Sequence, residues 1–164
     1  MTRRPRVIAV ASGGGHWVQL MRLRPAFEGC DVTYVTVHSQ YRADLGTAGT
    51  GARFEVVNDA TRWNKFALLM LALRILWIVA RTRPDAIVTT GAAPGYFALR
   101  IGKWFGARVA WIDSIANVEE VSMSGRRIGP SAHLWLTQWA HLAAASAMGA
   151  RQKRTLPEYR GSVL

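Results

Sequence analysis

Arg6-Val-Ile-Ala-Val-Ala-Ser-Gly-Gly-Gly-His16 decides the fold. Five apolar residues, Val7 to Ala11, follow Arg6 with no polar alternation. A central parallel strand reads this way because helices cover both its faces. The run is too short for the hydrophobic region of a secretory signal, and Gly13-Gly-Gly15 then break it. The glycines mark a tight strand-to-helix turn, and residues 16–27 follow as a helix. Trp17, Leu20, Met21 and Leu23 lie near one face of it, and Pro25 weakens its last turn.

The same alternation continues downstream. Asp31 to Val37 is a second strand, rich in β-branched residues. Residues 39–52 are polar and Gly-rich and read as a loop, and Arg53 to Val57 is a third strand. Asn58-Asp-Ala-Thr-Arg62 offers N-caps for a long helix over 64–82. Asp85 to Thr90 is a strand closed by Gly91-Ala-Ala-Pro-Gly95, and residues 96–105 are a helix carrying Arg100 and Lys103. Arg108 to Ile112 is a strand ending at Asp113-Ser114. A polar stretch over 115–130 holds Glu119-Glu120 and a turn-like 122–127. His133 to Trp139 is a sixth strand, 140–149 an Ala-rich helix, 150–158 a basic loop and 161–164 a short extended piece. Strands alternating with helices predict a three-layer α/β parallel sheet, one domain over residues 1–164.

Composition narrows the partners. The chain has 164 residues, 21 Lys plus Arg against 10 Asp plus Glu, and a net charge of +11. Such a charge favours polyanions. Zinc-finger spacing, ribonucleoprotein motifs and long basic tracts are absent, so an anionic membrane surface or a phosphorylated ligand ranks ahead of nucleic acid. The one cysteine, Cys30, excludes an internal disulfide framework and a multi-thiolate zinc site.

Three segments carry candidate chemistry. Ser12-Gly-Gly-Gly-His16 offers close backbone approach and helix N–H groups to an anion, or is a turn needing glycine for geometry alone. It is neither G-x-G-x-x-G nor a P-loop. His16 is a ligand-contacting imidazole or general base, or else a hydrogen-bonded turn residue. Gly91, Ala92, Ala93, Pro94 and Gly95 are small residues that leave an open crevice at the carboxyl edge of the sheet, or form a Pro-primed helix start. Two such turns on one edge predict a shared cleft. Asp113, beside Ser114, is a general base or an N-cap for the following turn. Glu119 is an acceptor contact or a solvated charge. No metal or other cofactor is expected, because the Asp and His residues are not at ligand spacing.

The 64–82 helix is a fourth feature. From Phe66 to Ala80 only Arg74 is polar, a stretch of about 22 Å at ~1.5 Å per residue, short of the ~30 Å hydrocarbon core. Arg62, Lys65, Arg81 and Arg83 flank it, as where a monotopic segment meets anionic headgroups. Leu69, Leu73 and Leu76 would face the lipid, or a partner protein instead. For Trp104, Trp111, Trp135 and Trp139, core packing or a protein interface is the expectation.

Taken together, Ser12 to His16, Val88-Thr-Thr-Gly-Ala-Ala-Pro-Gly95, Trp111-Ile-Asp-Ser-Ile-Ala-Asn-Val-Glu119, Ser124-Gly125 and Leu134-Trp-Leu-Thr-Gln-Trp139 form an ordered set. This set resembles the membrane-associated, acceptor-side subunit of split GT-B glycosyltransferases. The eukaryotic member recruits the partner that adds the second N-acetylglucosamine to the dolichol-linked chain. Bacterial PssD-type relatives serve exopolysaccharide and capsule assembly. The glycine loop is also similar to that of the single-chain peptidoglycan N-acetylglucosaminyltransferase. The resemblance implies a Rossmann-like parallel sheet with helices on both faces, equivalent to the N-terminal half of a GT-B enzyme. It implies a heterodimer with a donor-binding subunit that holds the UDP-sugar, and a lipid-diphosphate-sugar acceptor. The two glycine turns would bind that acceptor, and His16 or Asp113 would deprotonate its hydroxyl. The eukaryotic anchor segment has no counterpart before the first strand here, so attachment to the cytoplasmic membrane face would rest on the 64–82 helix and the basic surface. The alternative is a free-standing α/β nucleotide- or phosphate-binding protein without transferase activity.

Overall fold

The computed structural model describes residues 3–46, 51–61, 63–143 and 156–162. Seven strands form one parallel sheet in the order β3-β2-β1-β4-β5-β6-β7. They are β1 Arg6–Val10, β2 Asp31–Thr36, β3 Arg53–Val56, β4 Ala86–Thr89, β5 Arg108–Ile112, β6 Leu134–Thr137 and β7 Glu158–Tyr159. The helices are α1 Gly15–Arg22, α2 Lys65–Thr82, α3 Ala92–Trp104 and α4 Met123–Ile128. The chain runs outward from β1 to β3, returns through α2 to β4 on the other side of β1, and continues outward to β7. The order therefore reverses between β1 and β4, the position where open α/β sheets bind ligands.

β1 is buried on both faces as its apolar run requires. Val7 and Ala9 pack with Trp17, Leu20, Phe27, Tyr34 and Phe54 on the α1 side. Ile8 and Val10 pack with Leu71, Ile75, Ile87, Leu99 and Trp111 beneath α2 and α3. α3 approaches β4 closely because Gly95 has no side chain, and a Cβ there would stand 2.1 Å from Thr89 Oγ1. Asp85 ties the amino-terminal arm to β4. It pairs with Arg3 at 2.7 Å and accepts the Arg6 N–H at 2.7 Å, contacts that hold its carboxyl below the usual range.

Several element bounds differ from the sequence reading. The 16–27 helix ends at Arg22, and Pro25 sits in a separate 3-10 turn, Arg24–Phe27. The 39–52 segment is not all loop, since Ser39–Leu45 forms a 3-10 helix, and residues 47–50 lie outside the described residues. Asn64 caps α2, not a residue of 58–62, and its side chain accepts the Ala67 N–H at 2.9 Å. α3 begins at Ala92, four residues before the expected 96, because Pro94 is compatible with a first helical turn. Ala92, Ala93, Pro94 and Gly95 are thus helix, not an open turn. The polar 122–127 stretch is helix α4, capped by the Ser122 hydroxyl accepting the Gly125 N–H at 3.0 Å. β6 is confined to Leu134–Thr137. In place of the 140–149 helix, Ala140–Leu142 is a 3-10 turn, and 144–149 lie outside the described residues. The last described strand is Glu158–Tyr159, at the end of the expected basic loop; of the expected 161–164 piece, 161–162 are not strand and 163–164 lie outside the described residues.

α2 buries Leu71, Ile75, Ile78 and Val79 and turns Phe66, Leu69, Met70, Leu73, Leu76 and Trp77 outward. It is apolar on both faces. Among the described residues no helix is long and apolar enough to cross a membrane. Trp111 and Trp135 pack in the core, one of the two placements expected for them, and Trp104 is 73% exposed.

Candidate functional site

Parallel strands place all their carboxyl ends on one edge, so the turns after β1, β4 and β5 converge there. Gly14 caps α1 with φ +60°, and its carbonyl accepts the Trp17 and Val18 N–H groups. Tyr41, from the 3-10 helix after β2, accepts the Gly14 N–H at 2.9 Å through its hydroxyl. The Tyr41 ring stacks on Trp17 at 5.1 Å, and Trp17 Nε1 donates to Asp44 at 2.7 Å. The glycine turn is thus held in shape by a neighbouring segment. Among the described residues no acceptor faces the N–H groups of Gly15 and His16, which head α1.

His16 joins the first turn to the second. Its Nδ1 lies 2.8 Å from the Thr90 carbonyl oxygen, and the Thr90 hydroxyl donates back to the His16 carbonyl at 2.7 Å. A carbonyl only accepts, so Nδ1 carries the proton and Nε2 is the basic nitrogen of the neutral ring. Among the described residues Nε2 has no partner. Gly91 makes this contact possible. It has φ +130°, and a Cβ would meet the His16 ring at 2.8 Å. Ala92 follows at φ +65°, a left-handed conformation that costs a non-glycine residue roughly 1–2 kcal/mol. Strain of this kind at a turn against an imidazole marks a site where geometry outranks stability.

The third turn is tied to the first by Gln19, which is 3% exposed. Its Nε2 donates to the Asp113 carbonyl at 3.1 Å, and its Oε1 accepts the Ile115 N–H at 3.3 Å. Asp113 itself is 1% exposed. Its Oδ1 accepts from the Ser114 N–H at 3.1 Å and from Asn117 Nδ2 at 2.8 Å, and its Oδ2 accepts from the Ser122 N–H at 2.9 Å. Of the two roles open to Asp113, the geometry matches the cap: the carboxylate organises the 113–122 loop and is turned away from solvent. Ser114 is buried and its hydroxyl accepts the Ala116 N–H at 3.3 Å. Glu119 is exposed, and Glu120 pairs with Arg126.

Ser12, Gly13, Gly14, Gly15 and His16 are therefore brought together with Gly91 and Ala92. The rest of the second turn departs from the expected crevice lining, because the early start of α3 turns it toward the sheet. Ala93 is half-buried and packs against the core shared by α2 and α3, and Pro94 and Gly95 are buried in the same first turn. Thr90, Gln19 and Tyr41 were not singled out by the sequence. Their roles arise from contacts 74, 94 and 27 residues away along the chain, which no local pattern encodes. Of the expected lipid-facing residues, Leu69, Leu73 and Leu76 all lie outward on α2, with Lys65 at its start and Arg81 and Arg83 at its end. Arg62 lies outside the described residues.

Cavities of about 590 and 460 Å³ lie at the opposite edge of the sheet. The first is lined by Arg4, Arg24, Cys30 and Tyr34, the last with a phenol that burial pushes up. Neither touches the glycine turns. The converging backbone groups described above make the carboxyl edge the stronger candidate.

No protein-family model and no curated protein matches this sequence. Solved structures do match its fold. MurG of Acinetobacter baumannii superposes with a TM-score of 0.70 at 13% identity, covering 96% of this chain and 45% of that one. A UDP-N-acetylglucosamine 2-epimerase from Rickettsia bellii gives 0.66 at 13% identity, covering 98% and 46%. A glycosyltransferase from Rickettsia africae gives 0.61 at 15% identity, covering 84% and 37%. The chain spans less than half the length of each of these proteins. Its architecture is the Rossmann-like α/β sheet that makes up one half of a GT-B glycosyltransferase.

Proposed function

We propose that this chain is the acceptor-side half of a two-component glycosyltransferase, acting on a lipid-diphosphate-linked sugar at a membrane surface with a UDP-sugar held by a separate donor-binding subunit. The observation that carries this reading is the junction of the two glycine turns at the β1/β4 reversal, with His16 locked between them. The likeness to half of a glycosyltransferase and half of a UDP-N-acetylglucosamine epimerase supports a sugar-nucleotide role.

The N–H groups heading α1 bind the acceptor's diphosphate, helped by the positive end of the helix. Nε2 of His16 takes the proton of the acceptor hydroxyl as its oxygen attacks the anomeric carbon. The bond from that carbon to UDP breaks, and UDP leaves with the electron pair. Thr90 keeps Nε2 as the basic nitrogen by accepting from Nδ1. Asp113 and Gln19 hold the 113–122 loop beside the cleft. Phe66, 72% exposed, and Leu69, 55% exposed, lie on the amino-terminal half of α2, which starts at this same edge, so the outward face can meet lipid beside the cleft.

The test is transfer from a UDP-sugar to a polyprenyl-diphosphate-linked acceptor. The lone chain should be inactive, and adding a co-expressed donor-binding subunit should restore turnover. His16→Gln in the pair should lower kcat by about 10²–10⁴-fold. Turnover by the lone chain with saturation in both substrates would overturn the split-enzyme reading. Tight retention of UDP by the lone chain, without any transfer in the pair, would favour a free-standing nucleotide-binding protein.

A further inference from the structure

We infer that His38 and Tyr41 are ligand-binding residues that grip one phosphoryl group of a diphosphate while the head of α1 takes the other, so that the cleft selects diphosphates over monophosphates. The inference rests on the reading of the glycine turn as the site of the acceptor's diphosphate. It assigns that site a second wall, on the β2 side.

β1 stands between β2 and β4, so the turn after β1 has a neighbour on each side. His16 joins it to the β4 side through Thr90. On the other side the chain leaves β2 at Thr36 and enters the 3-10 helix Ser39–Leu45, with His38 as the residue that precedes it. Residues three apart lie one above the other in such a helix, which puts His38 and Tyr41 together. Their rings meet edge to face with centroids 5.5 Å apart. The Tyr41 ring is fixed by its stack on the buried Trp17. Asp44, the carboxylate of the same 3-10 helix, is spent on Trp17 Nε1.

Gly13 shows how closely the pair approaches the turn. Its φ is not positive, so its missing side chain serves a close contact rather than a backbone conformation. A Cβ there would stand 2.8 Å from His38 Nε2 and 3.4 Å from Tyr41 Oη. The two polar atoms therefore flank one point beside the turn, within reach of a single phosphoryl group. Both side chains have donors to spare. Tyr41 Oη accepts the Gly14 N–H at 2.9 Å, and its own proton has no acceptor among the described residues. His38 is exposed, and among the described residues neither ring nitrogen is hydrogen-bonded, so its N–H is free in either tautomer. An anionic oxygen is the acceptor these groups lack, and hydrogen bonds to an ionised oxygen are the strong ones. Gly14 directly precedes Gly15 and His16, the N–H groups at the head of α1. Successive backbone positions are about 3.8 Å apart, so two phosphoryl groups joined through one oxygen can reach from the His38–Tyr41 pair to the helix head. A monophosphate fills one place and leaves the other empty.

The experiment is calorimetric titration of the full chain with geranyl diphosphate and with geranyl monophosphate. The variants are Tyr41→Phe, which keeps the stack on Trp17, and His38→Gln, at an exposed position. Neither alters the formal net charge of +11, so bulk attraction is held constant. Each is first checked for a cooperative melt. Wild type should bind the diphosphate at least about tenfold more tightly than the monophosphate. Each variant should lower the diphosphate affinity about tenfold and change the monophosphate affinity by under about twofold, which erases the selectivity. A hydroxyl that merely shapes the turn would weaken both probes equally in Tyr41→Phe, and that result would overturn the inference. Tighter diphosphate binding by Tyr41→Phe would overturn it too, because the hydroxyl would then be blocking the Gly14 N–H. If wild type binds the diphosphate, with hydrogen exchange slowed at residues 14–18 and 90–95, and both variants bind it equally well, the second wall falls and the acceptor-side reading stands. If wild type binds neither probe, both fall.

Discussion

Exchanging Asp113 for Asn would replace one acceptor oxygen by an amide donor facing either the Ser122 N–H or the Ser114 and Asn117 N–H groups. At 1% exposure no water relieves that conflict. The substitution should therefore cost about 1–3 kcal/mol, read as a fall of several degrees in Tm by calorimetry. An unchanged Tm with a lost kcat in the reconstituted pair would return the base role to Asp113. His16 presents the opposite case. It is half-buried and its Nε2 is unengaged among the described residues, so His16→Gln should reduce turnover more than stability. These two residues looked alike in the sequence because both follow the carboxyl end of a strand. The pattern Gly-Gly-Gly-His marked a strand-to-helix turn, and the structure has one there, with Gly14 at φ +60°. What an aspartate does after a strand depends on which donors fold back over it, and here those donors are three backbone and side-chain N–H groups up to nine residues later.

Elements were legible where periodicity or continuous apolarity is strong. β1, β5 and α2 have nearly the bounds read from the sequence. The starts of α3 and α4 were missed for a shared physical reason. Gly91, Pro94 and Gly95, or Ser122 to Gly125, look like turn chemistry, yet proline suits a first helical turn and serine a cap. The same misreading put Ala93 in the crevice, where helix geometry instead sets it against the core. The two faces of α2 provide a prediction at this scale. Leu71 is fully buried in the core, whereas Leu73 is 50% exposed. Leu71→Ala should cost about 2–5 kcal/mol as a cavity mutation, and Leu73→Gln should change stability by less than about 0.5 kcal/mol. Denaturant titration of both variants measures the contrast. Equal losses would mean that the outward face is covered within the protein and is no docking surface.

At the scale of the whole molecule, the sheet order determines which edge can act. Every strand is parallel, so all seven carboxyl ends share one edge, and the reversal between β1 and β4 sets the starts of α1 and α3 at that edge. The alternation of strands and helices foretold the parallel sheet. It did not foretell that His16 and Thr90, 74 residues apart, would hold the two turns together, because strand order is a property of tertiary packing. The fold also offers a competing location, since the cavity lined by Arg4, Arg24, Cys30 and Tyr34 lies at the opposite edge and has its own cations. Hydrogen exchange with geranyl diphosphate as probe separates the two. Binding across the β1/β4 crevice should slow exchange at residues 14–18 and 90–95 together, with secondary slowing in 115–122 through the Gln19 bridge. The two turns should respond as a unit in wild type. Gly91→Ala, which drives a methyl into the His16 ring, should abolish protection at both turns while β2 stays protected. Protection confined to residues 24–32 would instead assign the diphosphate to the far cavity. The cleft would then be left without its ligand, and the acceptor-side reading would fail with it.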